Sequence, residues 1–362
     1  MKVLLLRGYP RKAGYTRHLV DCFAAGLQKT DAEITDVDVV RADIRPCLGC
    51  YHCWLKTPGK CVHRDDMDKL LPVLQEANVV VCATPLYFYS MSSALKCFFE
   101  RTLPLFRGGL EHTPKGLLRN KRRSPGLWQK KTLVTIVVGA LRSTDMFKPL
   151  LETFEMIADG TNMEMGGHLT RPESYLFPFK NCKPMALKNI ELAFARGGQE
   201  AGATGVLSEN TMAMASTQIS SDAETFCRYT ERYWDAASKL GADGMSIDNV
   251  VPVVGRDIQI LMHEFLRGFD PAAARRVRAR IQFDFTDADL HYGITIDEGG
   301  CTISESAISK PDLRITCSSE VWVKVVLLEL DIRSALGNRL IVLEGDKSLF
   351  MKLPKLFPPP KG

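Results

Sequence analysis

The sequence predicts an α/β chain, a doubly wound parallel sheet of five strands followed by a smaller α+β domain. Three observations carry this. Strand-like and helical segments alternate through the first part of the chain. Val79-Val-Val-Cys-Ala83 shows no polar alternation, as a strand covered on both faces requires. From about Gly241 the alternation gives way to segments of period 2.

In order, strands are expected at 3–6, 33–39, 78–84, 132–139 and 163–170, and helices at 17–28, 66–76, 92–103, 145–158 and 183–201. The first strand, Met1-Lys-Val-Leu-Leu-Leu6, feeds a loop, Arg7-Gly-Tyr-Pro-Arg-Lys-Ala-Gly-Tyr-Thr16. The next helix places Leu19, Val20, Phe23 and Leu27 on one face, with Thr16 at its cap. Such a sheet holds its ligand beyond the carboxyl ends of the strands, so the informative loops follow strands one, three and four. A helix from about Asp222 to Ser238, with Phe226, Tyr229, Tyr233 and Trp234, is expected to pack back on the sheet. Gly241-Ala-Asp-Gly244 reads as a linker. Beyond it, Ile281–Phe285, Leu290–Ile296, Cys301–Ser304 and Asp312–Cys317 read as antiparallel strands. Helices are expected over Glu320–Leu330 and through Leu349, Phe350, Leu353, Leu356 and Phe357, before a Pro-rich end. The expected domains are residues 1–240 and 253–362.

Composition narrows the class. Hydrophobic content of 45% and charged content of 25% are those of an ordinary globular protein. The longest apolar stretch, Leu133 to Leu141, is too short to cross a bilayer, and the N-terminal apolar run is too short for a signal peptide. Eleven cysteines without an export signal point to a reducing cytoplasm. Cys22, Cys82, Cys97 and Cys227 sit in apolar patterns and read as small core residues. Much of the net charge of +5 lies between Arg107 and Lys131, including Arg119, Lys121, Arg122 and Arg123, which reads as a solvated loop. Nucleic-acid binding would require interleaved aromatics or a recognisable module, and the sequence offers neither.

The first loop suits a phosphate, because a strand–loop–helix aims backbone N–H groups and a positive helix end at one spot. Arg11, Lys12 and the Thr16 hydroxyl would add charge and a donor. The spacing matches neither G-x-G-x-x-G nor G-x-x-x-x-G-K-[ST], so the terminal phosphate of a mononucleotide is the better fit. After the third strand, Thr84-Pro-Leu-Tyr-Phe-Tyr-Ser-Met-Ser92 could wall a planar ring, the competing reading being core residues at a strand end. Gly139 and Ala140 give a third place of close backbone approach.

Together, Gly8-Tyr-Pro-Arg-Lys-Ala-Gly-Tyr-Thr16, Thr84-Pro-Leu-Tyr-Phe-Tyr-Ser90 and Lys96-x-x-x-x-Arg101 resemble the NAD(P)H-dependent FMN reductases of flavodoxin-like fold. The likeness spans roughly residues 1–237. It implies non-covalent FMN, NAD(P)H as co-substrate, a homodimer with flavins near the interface, and hydride transfer to the flavin. By position it assigns the phosphate to Arg11, Lys12 and Thr16, in a loop shaped by Gly8, Pro10 and Gly14. Pro85, Leu86, Tyr87 and Phe88 would line the isoalloxazine between Thr84 and Ser90, and Gly139 would approach it. Flavin supplies the redox chemistry, so the resemblance names no catalytic acid or base. Relatives carry Ser at the position of Tyr9 and Asn at that of Tyr15, so two small phosphate contacts are missing here.

A second constellation is Cys47-Leu-Gly-Cys50-Tyr-His-Cys53 followed by Cys61. Three thiols at two-residue gaps plus a fourth nearby is the grammar of iron–sulfur ligation, whereas structural zinc favours two separated pairs. The spacing resembles the compact motif of iron–sulfur flavoproteins, which implies a [4Fe–4S] cluster. The alternative is a tight loop, with Gly49, Trp54 and Gly59, that carries no cluster. His52 and His63 read as surface or hydrogen-bonded histidines.

Residues from about 253 to 357 resemble the sterol-carrier-protein-like lipid-binding fold. The marks are Ile281-Gln-Phe-Asp-Phe285, Asp297-Glu-Gly-Gly300, Lys310-Pro-Asp-Leu-Arg-Ile315 and Leu340-Ile-Val-Leu-Glu-Gly-Asp346. The resemblance implies a tunnel walled by Trp322, Val325, Val326, Leu349, Phe350 and Leu353, with plain core packing as the alternative. Arg275, Arg276, Arg278 and Arg280 read as a solvated helix face. Three functions follow from the sequence: an FMN-dependent NAD(P)H oxidoreductase with a small-molecule acceptor such as a lipid, sterol or quinone; an iron–sulfur flavoprotein electron carrier; and a non-catalytic lipid binder.

Overall fold

The structure is a computed structural model that describes residues 1–127, 130–179, 184–220, 222–242, 256–297 and 300–358. The expected linker from residue 243, Glu298 and Gly299 of the expected turn, and the last four residues lie outside the described residues. The chain divides into two compact units, Met1–Phe177 with Ala186–Phe226, and Pro178–Met185 with Cys227–Gly362.

The first unit is built on β1 (Lys2–Arg7), α1 (Tyr15–Leu27), β2 (Glu33–Asp38), α2 (His52–Leu55), α3 (Met67–Glu76), β3 (Val79–Pro85), α4 (Ser93–Glu100), β4 (Phe106–His112), β5 (Leu118–Arg122), β6 (Thr132–Val138), α5 (Lys148–Thr161), β7 (Glu164–Arg171), α6 (Pro184–Thr204) and α7 (Glu209–Ala215). The main sheet runs β2-β1-β3-β6-β7 with every neighbour parallel. That order is the flavodoxin-like one, and it reverses direction between β1 and β3, where such sheets open a crevice for ligand. The five expected strands are all present, each within two residues of its expected ends.

The strands form because their residues are apolar on both sides. Val3 to Leu6 and Val79 to Pro85 are buried throughout, and helices cover both faces. Leu19, Val20, Phe23 and Leu27 of α1 are all fully buried, the 3.6-residue stripe expected of a docked helix.

Three corrections apply here. The basic stretch is no simple solvated loop, because β4 and β5 pair as an antiparallel hairpin within it. Lys131, at its end, is buried and donates to the Gln75 and Ala77 carbonyls at 2.6 Å each, which satisfies the C-terminal end of α3. Cys227 is exposed on α8 (Ala223–Ala242), because the buried stripe runs through Phe226, Tyr229 and Tyr233, one step around the helix. From Cys227 onward this helix groups with the second unit rather than with the flavodoxin-like sheet.

The second unit carries a five-stranded sheet ordered β10-β9-β8-β11-β12, from β8 (Ala279–Phe285), β9 (Leu290–Asp297), β10 (Gly300–Ser304), β11 (Leu313–Cys317) and β12 (Ile341–Gly345). It is not purely antiparallel: β8 and β11 pair in parallel. β12 lies within the segment read only as a family mark. The helix expected over 320–330 spans Ser319–Val326 and stops there, with Leu328 in left-handed backbone at φ 59°. The four arginines are exposed as expected, but they lie past the short helix Pro271–Ala274, in a loop and at the start of β8.

Candidate functional site

The loops after β1 and β3 meet at Gly8. Its amide donates to the Ala83 carbonyl at 2.8 Å, and a side chain there would stand 3.0 Å from the Leu95 Cβ and 3.1 Å from the Ser92 Oγ. A Cβ there would sit closer to these atoms than side chains ordinarily do, an approach that glycine makes without crowding. Beyond it, Pro10 is exposed and Arg11 folds against Gly14, whose added Cβ would lie 3.3 Å from the Arg11 Cβ. Gly14 is the N-cap of α1 and supplies no side-chain cap, and the first turn carries no acid. Thr16 is buried in that turn and Lys12 is exposed beside it. The Lys12 carbonyl is held by Arg17 at 2.8 Å. An uncapped, acid-free helix start flanked by two cations has the donor set and charge that a phosphate monoester takes. The residues present therefore fit the phosphate of FMN.

Tyr9 shows why one departure from the family pattern is tolerated. Its ring is buried and its hydroxyl accepts from the Arg7 guanidinium at 2.6 Å. Arg7 in turn grips Asp36 and reaches Asp21 at 2.5 Å. Hydrogen bonds to those carboxylates and to Tyr9 hold the Arg7 guanidinium charged despite burial. The tyrosine braces the loop from below instead of reaching a ligand.

The loop after β3 is a two-residue hairpin turn. Tyr87 and Ser90 exchange both backbone hydrogen bonds at 2.9 Å, with Phe88 and Tyr89 at φ 47° and 61°. Glycine and asparagine take such turns without strain; two aromatics do not. Phe88 is 99% exposed, Tyr87 and Tyr89 are exposed, and Leu86 packs partly against the core. They are no strand-end core. Strained backbone presenting bare aromatics makes this turn a candidate binding surface. Thr84 is fully buried, its hydroxyl donating to the Pro85 carbonyl and accepting from the Ser92 amide at 2.9 Å each. It sets the loop's shape. Ser92 caps α4 by accepting from Leu95.

Gly139, after β6, donates to the Arg171 carbonyl at 2.8 Å, and Met146 and Phe147 fill the side where its Cβ would point. Under this loop lies a network that sequence reasoning missed. Glu173, fully buried at φ 55°, accepts from the Ile219 and Ser220 amides, while Arg171, also fully buried, donates to the Ala215 and Thr217 carbonyls. No local pattern in Glu164-Met-Gly-Gly-His-Leu-Thr-Arg171 announces it, since the strand is already polar in part.

The cysteine segment is ordered by its surroundings. Gly49 and Tyr51 take left-handed backbone, the Trp54 Nε1 donates to the Leu103 carbonyl at 2.9 Å, and Arg123 donates to the Cys53 carbonyl at 3.3 Å. Burial, then the charge of Cys61, pushes the Cys53 thiol up, with smaller contributions from Cys47 and Cys50. Among the described residues, no group of three or more His, Cys, Asp or Glu side chains is arranged to hold a metal ion. The donor chemistry suits an iron–sulfur cluster; the side chains are not converged on one. His63 bonds the Pro46 carbonyl at 3.2 Å.

In the second unit, Trp322, Leu349, Phe350 and Leu353 are buried in one core cluster, with Val325 and Val326 partly buried against it. Phe265 stacks on Phe357 at 4.9 Å, and Phe283 meets Trp322 edge-on at 5.0 Å.

Comparison with known proteins assigns both parts. Residues 1–158 match the model of the NADPH-dependent FMN reductase family and residues 263–358 that of the SCP-2 sterol transfer family. The match to the FMN reductase family covers 158 residues of the first unit. An iron–sulfur flavoprotein of Archaeoglobus fulgidus is 35% identical over 104 residues, which is 29% of this chain and 46% of that protein. The NAD(P)H-dependent FMN-containing oxidoreductase YwqN of Bacillus subtilis, so named provisionally, is 25% identical over 172 residues, 47% of this chain and 83% of that one. The chain spans about half the length of the iron–sulfur flavoproteins it matches. Among solved structures, an FMN-dependent NADH-azoreductase of Bacillus anthracis in complex with FMN covers 56% of this chain and all of its own, at 11% identity and a TM-score of 0.43. Among the described residues, no helix is long and apolar enough to cross a membrane.

Proposed function

We propose that the chain is an FMN-dependent NAD(P)H oxidoreductase, whose acceptor is an apolar small molecule presented by the sterol-carrier-like domain. What supports this is the contact at Gly8 between the loops after β1 and β3, together with the acid-free start of α1 that follows the first loop and the exposed Tyr87–Tyr89 turn within the second. Arg11, Lys12, Thr16 and the first amides of α1 hold the phosphate. Pro85, Leu86, Tyr87 and Phe88 form the wall for the ring, Ser90 closes the turn, and the Gly139 backbone approaches from the third loop. When bound, the flavin supplies hydride acceptance and electron release. The chain's own residues bind and orient it, and two copies form a homodimer in the cytoplasm. The flavin domain takes residues 1–240 and the sterol-carrier-like domain residues 253–362.

A second reading is an electron carrier with a [4Fe–4S] cluster on Cys47, Cys50, Cys53 and Cys61. It is supported by the spacing of these four cysteines and by relatives named iron–sulfur flavoproteins. One experiment separates the two: the visible spectrum of protein purified without oxygen, with flavin, iron and sulfide assayed on the same sample and NADH and NADPH oxidation followed. Flavin without iron, with rapid nicotinamide oxidation, supports the first. Flavin with iron and sulfide, and slow direct oxidation, supports the second. Protein that takes up no FMN in excess rejects both.

A further inference from the structure

Glu173 is fully buried and holds left-handed backbone at φ 55°, a conformation that crowds any Cβ against the next carbonyl. Such strain persists only where neighbours over-determine it, and it gathers at functional sites. The residue follows β7, at the carboxyl edge of the main sheet, where folds of this order bind ligand. Its amide donates to the Leu141 carbonyl at 2.8 Å, and the next amide, of Ser174, donates to the Gly139 carbonyl at 3.0 Å. Its carboxylate accepts from the Ile219 and Ser220 amides and from the Ser220 hydroxyl. Arg142, from the loop after β6, places its Nε 3.4 Å from that carboxylate and donates to the Ser220 Oγ at 3.0 Å. Arg171 lies 3.7 Å from the other carboxylate oxygen. The same loop is joined to the one after β3, because the Leu86 amide donates to the Val138 carbonyl at 2.8 Å, one residue before Gly139. Filling space here does not require an anion, since apolar side chains pack an interior at less cost than a carboxylate shared by two guanidiniums. What the ions supply is direction: they fix where the loop after β6 stands.

We propose that Glu173 is a positioning residue for the flavin ring, acting through Arg142 to hold the loop Gly139–Arg142 in its binding conformation before the ligand arrives. This rests on the FMN reading above. A loop already fixed by the fold does not have to be ordered on binding, and the difference appears as affinity for the ring rather than for the phosphate.

The test uses the full chain as wild type, Arg142→Gln and Glu173→Gln, each freed of flavin and titrated with FMN and with riboflavin, with thermal melting as the measure of folding. R142Q leaves the buried Arg171–Glu173 pair whole and is expected to fold. Both variants are expected to bind about 10-fold less tightly, by the same factor for FMN and for riboflavin. At saturation the visible absorption of the bound ring is expected to shift from that of wild type. General destabilisation lowers the melting temperature but leaves the spectrum of a saturated site in place. Wild-type affinity and spectrum in folded R142Q overturn the role. A loss confined to FMN also overturns it, since that puts the loop at the phosphate. Hydrogen exchange on wild type tests the proposal even where neither variant folds. FMN is expected to slow exchange across residues 139–143, and unchanged exchange there in protein that binds FMN overturns the proposal while the flavin reading stands. Wild type that takes up no FMN in excess removes the flavin reading itself, and the role of Glu173 with it.

Discussion

The Gly8 Cα stands against Ser92, so close that an added Cβ would lie 3.1 Å from the Ser92 Oγ. The two residues belong to different loops, and their contact packs the loop after β1 against the loop after β3. The Ala83 carbonyl and the Leu95 Cβ each lie 3.0 Å from the position of that Cβ.

Gly8→Val is therefore expected to destabilise the first unit by about 1–3 kcal/mol through overpacking and to abolish stable FMN retention. Urea unfolding and flavin stoichiometry check this. A variant of full stability that keeps its flavin would show that the loops can separate without consequence.

Arg11→Glu reverses a charge beside the uncapped start of α1. FMN affinity should fall by roughly 10- to 100-fold, the worth of a charged hydrogen bond, while the melting temperature stays near that of wild type. Fluorescence titration of apoprotein with FMN reads the effect, and riboflavin, lacking the phosphate, should bind both forms alike.

Phe88→Gly removes an aromatic from a backbone position that glycine prefers. Relief of the left-handed backbone, about 1–2 kcal/mol, is offset in part by the greater freedom of glycine in the unfolded chain, so stability is expected to hold or rise slightly, whereas FMN affinity and nicotinamide oxidation both fall. Unchanged flavin binding would separate this turn from the site.

Lys131 provides a pH test. Burial, then the neighbouring Arg122, pulls its ammonium down to about 8 from the ordinary 10.5. Below pH 8 both folded and unfolded chains hold this proton and its contribution is flat. Between about 8 and 10.5 the unfolded chain binds more protons than the folded one, so this residue's contribution to stability rises with pH. Wild type should gain on Lys131→Met between pH 7 and 10, by about 2.5 kcal/mol. Urea midpoints of both proteins at the two pH values measure it, and a difference independent of pH contradicts the shift.

Much of the first unit was legible because its signals are local. Buried strands such as Val79–Pro85 are apolar on every residue, and α1 carries a clean stripe. The hairpin Phe106–Arg122 was not legible, since its residues are charged and its pairing is satisfied across the turn rather than along the sequence. The helix after Ser319 ends early because Leu328 turns left-handed, which no residue-type signal announces for leucine. Phe88 and Tyr89 read equally as core or surface, and solvent exposure decided between them. Tyr9, which looked like a lost phosphate contact, is a brace on Arg7.

By itself the sequence determined the parallel order of strand and helix, the mononucleotide-type loop, the four-cysteine spacing and the change of grammar near residue 241. These follow from periodicity and from spacings of a few residues. Only the tertiary structure decided which charges are buried and on whom they lean: Arg101 on Asp65, Arg7 on Asp36, Lys131 on the end of α3. Such pairs join residues about 30 to 60 positions apart, and a charge survives burial only where the fold delivers its partner.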